Sequence, residues 1–386
     1  MIGAGKAAAA MALAVENTWP DTAPLEGLVV TRYGHGAHTR RIRVVEAAHP
    51  IPDAAGEAAA GEILRRVRTL KPEDRLLALI SGGGSALLAL PSEGVSMDAL
   101  RVTTRALLRC GAPIQDINTV RKHLSALQGG RLAAACSAPA LALIISDVAG
   151  DDPTHIASGP LVPDPTTFAD ALDVLQRYGI DAPAPVVSHL ERGVRGEISE
   201  TPKPGDALFE RVENRLIATA HGSLAAAAAF FRDNAITPVV LGDTVTGEAR
   251  EVARVYAALV RQIRRHAEPW KPPVALLSGG ELTVTVRGDG RGGRCSAFLL
   301  ALAIELDGLD GVHALACDTD GIDGTEQNAG ALGAPDSLHR AMRLGVSPRG
   351  LLDTNDSYTF FERLGDLVVT GPTRTNVNDY RAILVT

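Results

Sequence analysis

Aromatic residues make up only 4% of this 386-residue chain, and no long basic block stands out among its charges. The 38 lysines and arginines are outnumbered by 45 acids, giving a net charge of −7. A nucleic-acid surface calls for a basic stripe with stacking rings, so both scarcities weigh against that class of partner. No apolar run reaches the ~18–20 residues of a membrane-spanning helix. Met1-Ile2-Gly3-Ala4-Gly5-Lys6 has no basic n-region and no clean cleavage pattern, so no signal peptide is expected. The four cysteines (110, 136, 295 and 317) are scattered without a Cys-x-x-Cys pair, which fits buried thiols in a reducing cytoplasm. Three chemistries lack their signatures. There is no Walker A spacing, no G-x-S-x-G, and no H-E-x-x-H or paired Cys/His spacing for zinc.

What is present is a series of short apolar runs, each ending in Gly, Ser or Asp. They cover residues 76–80, 141–145, 216–219, 239–241, 274–277 and 313–317, with helix-like stretches at 7–16, 54–70, 98–110, 248–266 and 294–307. Apolar strands alternating with helices predict an α/β fold with a mostly parallel sheet covered on both faces. Ligands in such folds bind outside the carboxyl ends of the strands, where these loops lie. Proline-rich breaks near 182–206 suggest a first domain over about 1–200 and a second over 205–386. Hydrophobic residues at 46% and a length of 386 allow two substantial cores.

Several loops can carry chemistry. Gly3-Ala4-Gly5-Lys6 resembles a glycine turn opening a helix. A lysine there opposes the helix dipole and suggests a nearby anion, although a surface lysine on a tight turn accounts for it equally well. Ser81-Gly82-Gly83-Gly84-Ser85 joins a strand to a helix and favours anion binding over a bare turn. Asn118 and Arg121 belong to a polar cluster in which Arg121 can hold a carboxylate or phosphate through a bidentate fork, or lie on a solvated helix face. Asp147 and Asp151 follow one apolar strand, and Asp318, Asp320 and Asp323 follow another. Carboxylates at strand ends suit Mg²⁺, which takes few of them and adds phosphate oxygens. The second cluster is not an EF-hand, because position 12 of the loop is Ala329. Gly288-Asp289-Gly290-Arg291-Gly292-Gly293 contains a G-x-G-x-x-G. It reads as a phosphate-binding loop with Arg294 aimed at the ligand, or as a dinucleotide loop.

Taken together, these segments resemble the glycerate 2-kinase family, whose C-terminal portion is the MOFRL domain. The matching stretches run in order along almost the whole chain: 3–8, 81–85, 118–125 with 129–131, 146–165, Ser278-Gly279-Gly280-Glu281, 292–294, 318–323 and 370–379. The resemblance implies two α/β domains, a Rossmann-like N-terminal one and a smaller C-terminal one with the MOFRL region at about 273–380, and an active site in the cleft between them. It implies ATP- and Mg²⁺-dependent phosphorylation of D-glycerate at its 2-hydroxyl, in a cytoplasmic enzyme with a homodimer as an open expectation. Carried over by motif, Lys6 and Arg294 handle phosphate, with Asp318 as a catalytic partner. Ser81–Ser85 and Ser278–Glu281 bind substrate or phosphate, and Asp147, Asp151, Asp320 and Asp323 are the metal candidates. Placing the glycerate carboxylate on Arg121 extends the physics of its fork. Some relatives carry the name hydroxypyruvate reductase, which makes an NAD(P)H-dependent reductase the alternative. Two departures stand out. Family members usually have a longer stretch before the Gly-Ala-Gly-Lys turn, so here the first strand is expected to be a stub or the start codon misassigned. Cys295-Ser296-Ala297 also stands where many relatives have Asn-Gln-Glu.

Overall fold

The computed structural model describes residues 1–386. The chain divides into two compact units, Met1–Ile217 and Ala218–Thr386. The division falls beyond the proline-rich stretch because the strand at 212–218 is still part of the first sheet.

In the first unit the apolar runs become β1 (Ile2–Ala4), β2 (Gly27–Arg32), β3 (Ile42–Ala47), β4 (Leu76–Ile80), β5 (Ala140–Ile145) and β6 (Val212–Ala218). Their order across the sheet is β3-β2-β1-β4-β5-β6. Every pairing from β3 to β5 is parallel. β1 is only three residues long yet lies at the centre of the sheet, with Gly3 opposite both Val29 and Leu79. Helices bury their apolar stripes against this sheet. The helix Ala54–Arg68 starts at Asp53, whose side chain accepts the Gly56 N–H, and buries Ala59, Ala60, Ile63, Leu64 and Val67 in the core. A second cluster of helices (97–109, 114–123, 168–177 and 184–194) surrounds Leu107, Val120, Phe168 and Leu190.

The second unit is built on β7 (Thr237–Gly242), β9 (Val274–Ser278), β11 (Val312–Asp318), β12 (Gly330–Gly333), β13 (Leu367–Val368) and β14 (Asp379–Val385), in the order β13-β12-β11-β14-β9-β7. A separate pair, β8 (Gly247–Glu248) and β10 (Leu282–Thr283), is parallel. Only β7–β9 is parallel in the larger sheet; the other four pairings are antiparallel. The expectation of mostly parallel strands therefore holds in the first unit and not in the second. A continuous apolar run reports burial on both faces and carries no information about direction. Helices Ala249–His266 and Arg294–Leu306 cover this sheet with Val260, Ile263, Phe298 and Leu302. No helix is long and apolar enough to cross a membrane.

Candidate active site

The strand order of the first sheet reverses between β1 and β4, and the crevice outside their carboxyl ends is where doubly wound folds bind ligands. Gly5 and Lys6 leave β1 there, and Ser81–Ser85 leaves β4 beside them. The two turns are stitched together. The Lys6 N–H donates to the Gly82 carbonyl at 2.8 Å and the Ser81 N–H to the Ala4 carbonyl at 3.1 Å. The Ser81 hydroxyl accepts the Ala7 N–H at 3.0 Å, so Ser81 caps the helix Ala8–Thr18, which has no side-chain cap next to it in sequence. The approach is close enough to require glycine at position 5. It has φ +133°, and a Cβ there would lie 2.2 Å from the Ser81 hydroxyl. Asp147, at the end of β5, packs on the same loop; a Cβ on Gly82 would meet its carboxylate at 1.9 Å. The Lys6 side chain runs beside Gly83.

Ser85 connects this loop to the predicted Asn118–Arg121 cluster. Its hydroxyl is 2.8 Å from that of Ser158, which donates to Asn118 Oδ1 at 3.1 Å. Arg121 Nη1 donates to the same oxygen at 3.5 Å, and Gln128 Nε2 donates to the Ser85 carbonyl at 2.8 Å. Ala157, Ser158 and Gly159 all have left-handed backbones (φ 51°, 58° and 59°). Two successive non-glycine residues in that region represent strain of the kind that collects at functional sites. Arg121 lines a small pocket with Ser85, Thr104, Ser125 and Gln128. Burial pushes its guanidinium down to about 10, with no carboxylate offsetting that burial. A half-buried arginine on a pocket wall with no carboxylate beside it is suited to an anion. Asp151 lies in the turn beyond β5, in a left-handed conformation with its N–H on the Val148 carbonyl.

In the second unit, Arg294 opens the helix 294–306 and is surrounded by carboxylates. Its Nε donates to Asp379 at 2.8 Å, Nη2 to Asp318 at 2.7 Å, and Nη1 pairs with Glu281 at 3.1 Å. Burial disfavours the guanidinium charge, but Asp379, Glu281 and Asp318 outweigh it and raise its pKa above the ordinary arginine value. Burial likewise pushes Asp318 up to about 7; Arg294 opposes this, while Asp320 and Asp379 add to it. Asp318 Oδ1 accepts the Asp320 N–H at 3.0 Å. The cluster therefore carries more negative than positive charge.

Three expected roles meet a different geometry. Asp323, a metal candidate, accepts the N–H groups of Cys295 and Ser296 at 2.9 and 2.8 Å and the Ser296 hydroxyl at 2.6 Å. It thus sits at the helix start where the glycine loop was expected to hold phosphate. The glycines of that loop face the chain itself: Cβ atoms on Gly288 and Gly290 would meet Thr354 at 2.7 and 2.4 Å, and on Gly293 would meet Asp323 at 2.2 Å. Gly279 and Gly280 also pack on backbone, of residues 243 and 245, while Glu281 alone of that motif reaches Arg294 with its side chain. Asp379 and Arg381 belong to the site without carrying a motif of their own. Two charges in the run Asp379–Val385, otherwise apolar and largely buried, were the available signal, since charges in such a strand need partners.

Residues 1–191 match the model of the DUF4147 domain of unknown function, and residues 274–379 match the MOFRL family. A glycerate 2-kinase of Pyrococcus horikoshii is 40% identical over all of this chain and 87% of its own length. The chain belongs to the glycerate 2-kinase family. A crystal structure of Thermotoga maritima glycerate kinase matches the fold with a TM-score of 0.90 and 38% identity, over 100% of this chain and 91% of that one. A relative from Agrobacterium vitis, provisionally named a hydroxypyruvate reductase, is 52% identical over 100% of this chain and 86% of its own. Both names thus occur among relatives of full-length similarity.

Proposed function

We propose that this glycerate 2-kinase family member transfers the γ-phosphoryl group of ATP to the 2-hydroxyl of D-glycerate, giving 2-phosphoglycerate and ADP. The observation that carries the reading is the meeting of Lys6 with the Ser81–Ser85 loop at the point where the first sheet reverses its strand order. Positioning and charge neutralisation dominate phosphoryl transfer, and this geometry offers both. Lys6 neutralises charge that builds on the phosphoryl oxygens. Arg121 holds the glycerate carboxylate, which restores the charge balance that burial denies it. Asp318, which burial pushes up to about 7, is the second unit's candidate for exchanging a proton at neutral pH.

Mg²⁺ fits these residues in one particular way. No three Asp, Glu, His or Cys groups converge as a metal cage, and Mg²⁺ is commonly held by one or two carboxylates together with nucleotide phosphates. Within the first unit Asp147, beside the Ser81–Ser85 loop, is the carboxylate that would hold it; within the second unit the candidate is Asp320. Once bound, it would supply positive charge that offsets the negative charge of the nucleotide phosphates.

The reductase reading is the weaker one. A dinucleotide pyrophosphate would rest on the helix start after Gly288–Gly293, and Asp323 already binds that start. The test is ADP release from purified protein with ATP, Mg²⁺ and D-glycerate, with the product passed directly to enolase in the absence of a mutase. An enolase signal establishes 2-phosphoglycerate. ADP without that signal points to another position or acceptor, and oxidation of NAD(P)H by hydroxypyruvate would overturn the kinase reading.

A further inference from the structure

We propose that Arg381 is a positioning residue that sets Arg294 through Asp379; its catalytic consequence rests on the kinase reading above. Arg381 is 0% exposed, a large charged side chain fully buried. It lies on β14 opposite Ser278 of β9 and Ala316 of β11. Its guanidinium is fully engaged: Nε donates to Ser278 Oγ at 3.2 Å and Nη1 to Asp379 Oδ2 at 3.1 Å, while Nη2 donates to the Gly279 carbonyl and, at 3.4 Å, to the Gly280 carbonyl. The Asp379 carboxylate is consequently shared. One oxygen faces Arg381 and the Leu282 N–H, and the other takes Arg294 Nε at 2.8 Å.

Arg381 acts on Arg294 by a second path as well. It grips the carbonyls of Gly279 and Gly280, and the next residue, Glu281, pairs with Arg294 Nη1. Two of the three carboxylates around Arg294 are therefore oriented by one buried fork. A buried ion pair is weak evidence for stability on its own. Here the partners of the buried charge are the groups that aim another arginine, so the arrangement is a device for geometry. Lysine keeps the charge but lacks the planar fork and cannot reproduce it.

The experiment is a double-mutant cycle of Arg381→Lys and Arg294→Lys, read in kcat and in KM for glycerate. Arg381→Lys is expected to lower kcat by about 10²-fold, the scale of a small misplacement, with KM nearly unchanged. The double variant should fall within about threefold of Arg294→Lys alone. Losses that multiply, or a wild-type kcat with only a lower melting temperature, would overturn the inference. If Arg381→Lys does not fold, Arg381→Gln takes its place in the same cycle with the same two outcomes. If the wild type forms no ADP, the kinase reading fails separately. The inference is then decided by crystal structures of the wild type and the variant: Arg294 displaced from Asp379 supports it, and Arg294 unmoved overturns it.

Discussion

In the first unit buried Lys122 has a carboxylate partner in Asp164, whereas in the second unit three carboxylates gather on one arginine, Arg294. Lys122 and Asp164, 1% and 0% exposed, face each other at 3.2 Å, and His123 reaches Glu200 at 3.1 Å. Burial works against the Glu200 carboxylate, yet the His123 ring and the N–H groups of Phe168 and Thr201 hold it at about 2. In the second unit burial wins: Asp318 stands near 7 and Asp379 is raised. Dedicated pairs fix a scaffold, while crowded carboxylates leave negative charge for an incoming cation to relieve.

The largest effect is expected where a dedicated pair is broken. Asp164→Ala leaves Lys122 buried without its partner and should cost about 3–5 kcal/mol in urea unfolding; a loss below ~1 kcal/mol would remove the basis of the contrast. Lys6→Ala should cut kcat by ~10²–10³, as for other lost transition-state donors, with stability changed by less than ~0.5 kcal/mol. A large fall in the urea midpoint would instead make Lys6 part of the scaffold. Arg121 is the exception within the first unit, a half-buried charge without a carboxylate. Arg121→Met should raise KM for glycerate by about 10–100-fold, the worth of a hydrogen bond to a charged group, and leave the unfolding midpoint level or higher.

The smallest effect is in pH dependence, where the two units should have opposite signs. Asp318 has a folded pKa above its ordinary 3.8, so its stabilising contribution is lost as pH rises from about 4 to about 7. Glu200 lies below its ordinary 4.5, so its contribution is present above that value and lost as pH falls towards 2. Asp318→Asn should flatten the first trend and leave the second untouched, as read by denaturant unfolding from pH 3 to 8. An unaltered slope between pH 4 and 7 would show that Asp318 is not the group responsible.

The first half of the candidate site was legible because its signals are local. A strand, a glycine turn and a lysine predicted the Lys6 corner, and a strand followed by Ser-Gly-Gly-Gly-Ser predicted its neighbour. What stayed hidden was non-local. Asp323 binds a helix that begins 29 residues earlier, and Arg381 grips a loop about a hundred residues away. Composition and spacing cannot register such reach. The direction of the second sheet was hidden for the same reason, since β14 enters between β9 and β11 from the far end of the chain.

The helix after Gly293 carries its own counter-ion. With Asp323 seated on two of its N–H groups and on the Ser296 hydroxyl, the positive pole that would attract free phosphate is quenched from within. Inorganic phosphate or sulfate should therefore compete poorly at this end of the molecule. Anyone wanting a phosphate receptor here would begin by removing an aspartate, because the donors are already in place and the lodger is part of the chain.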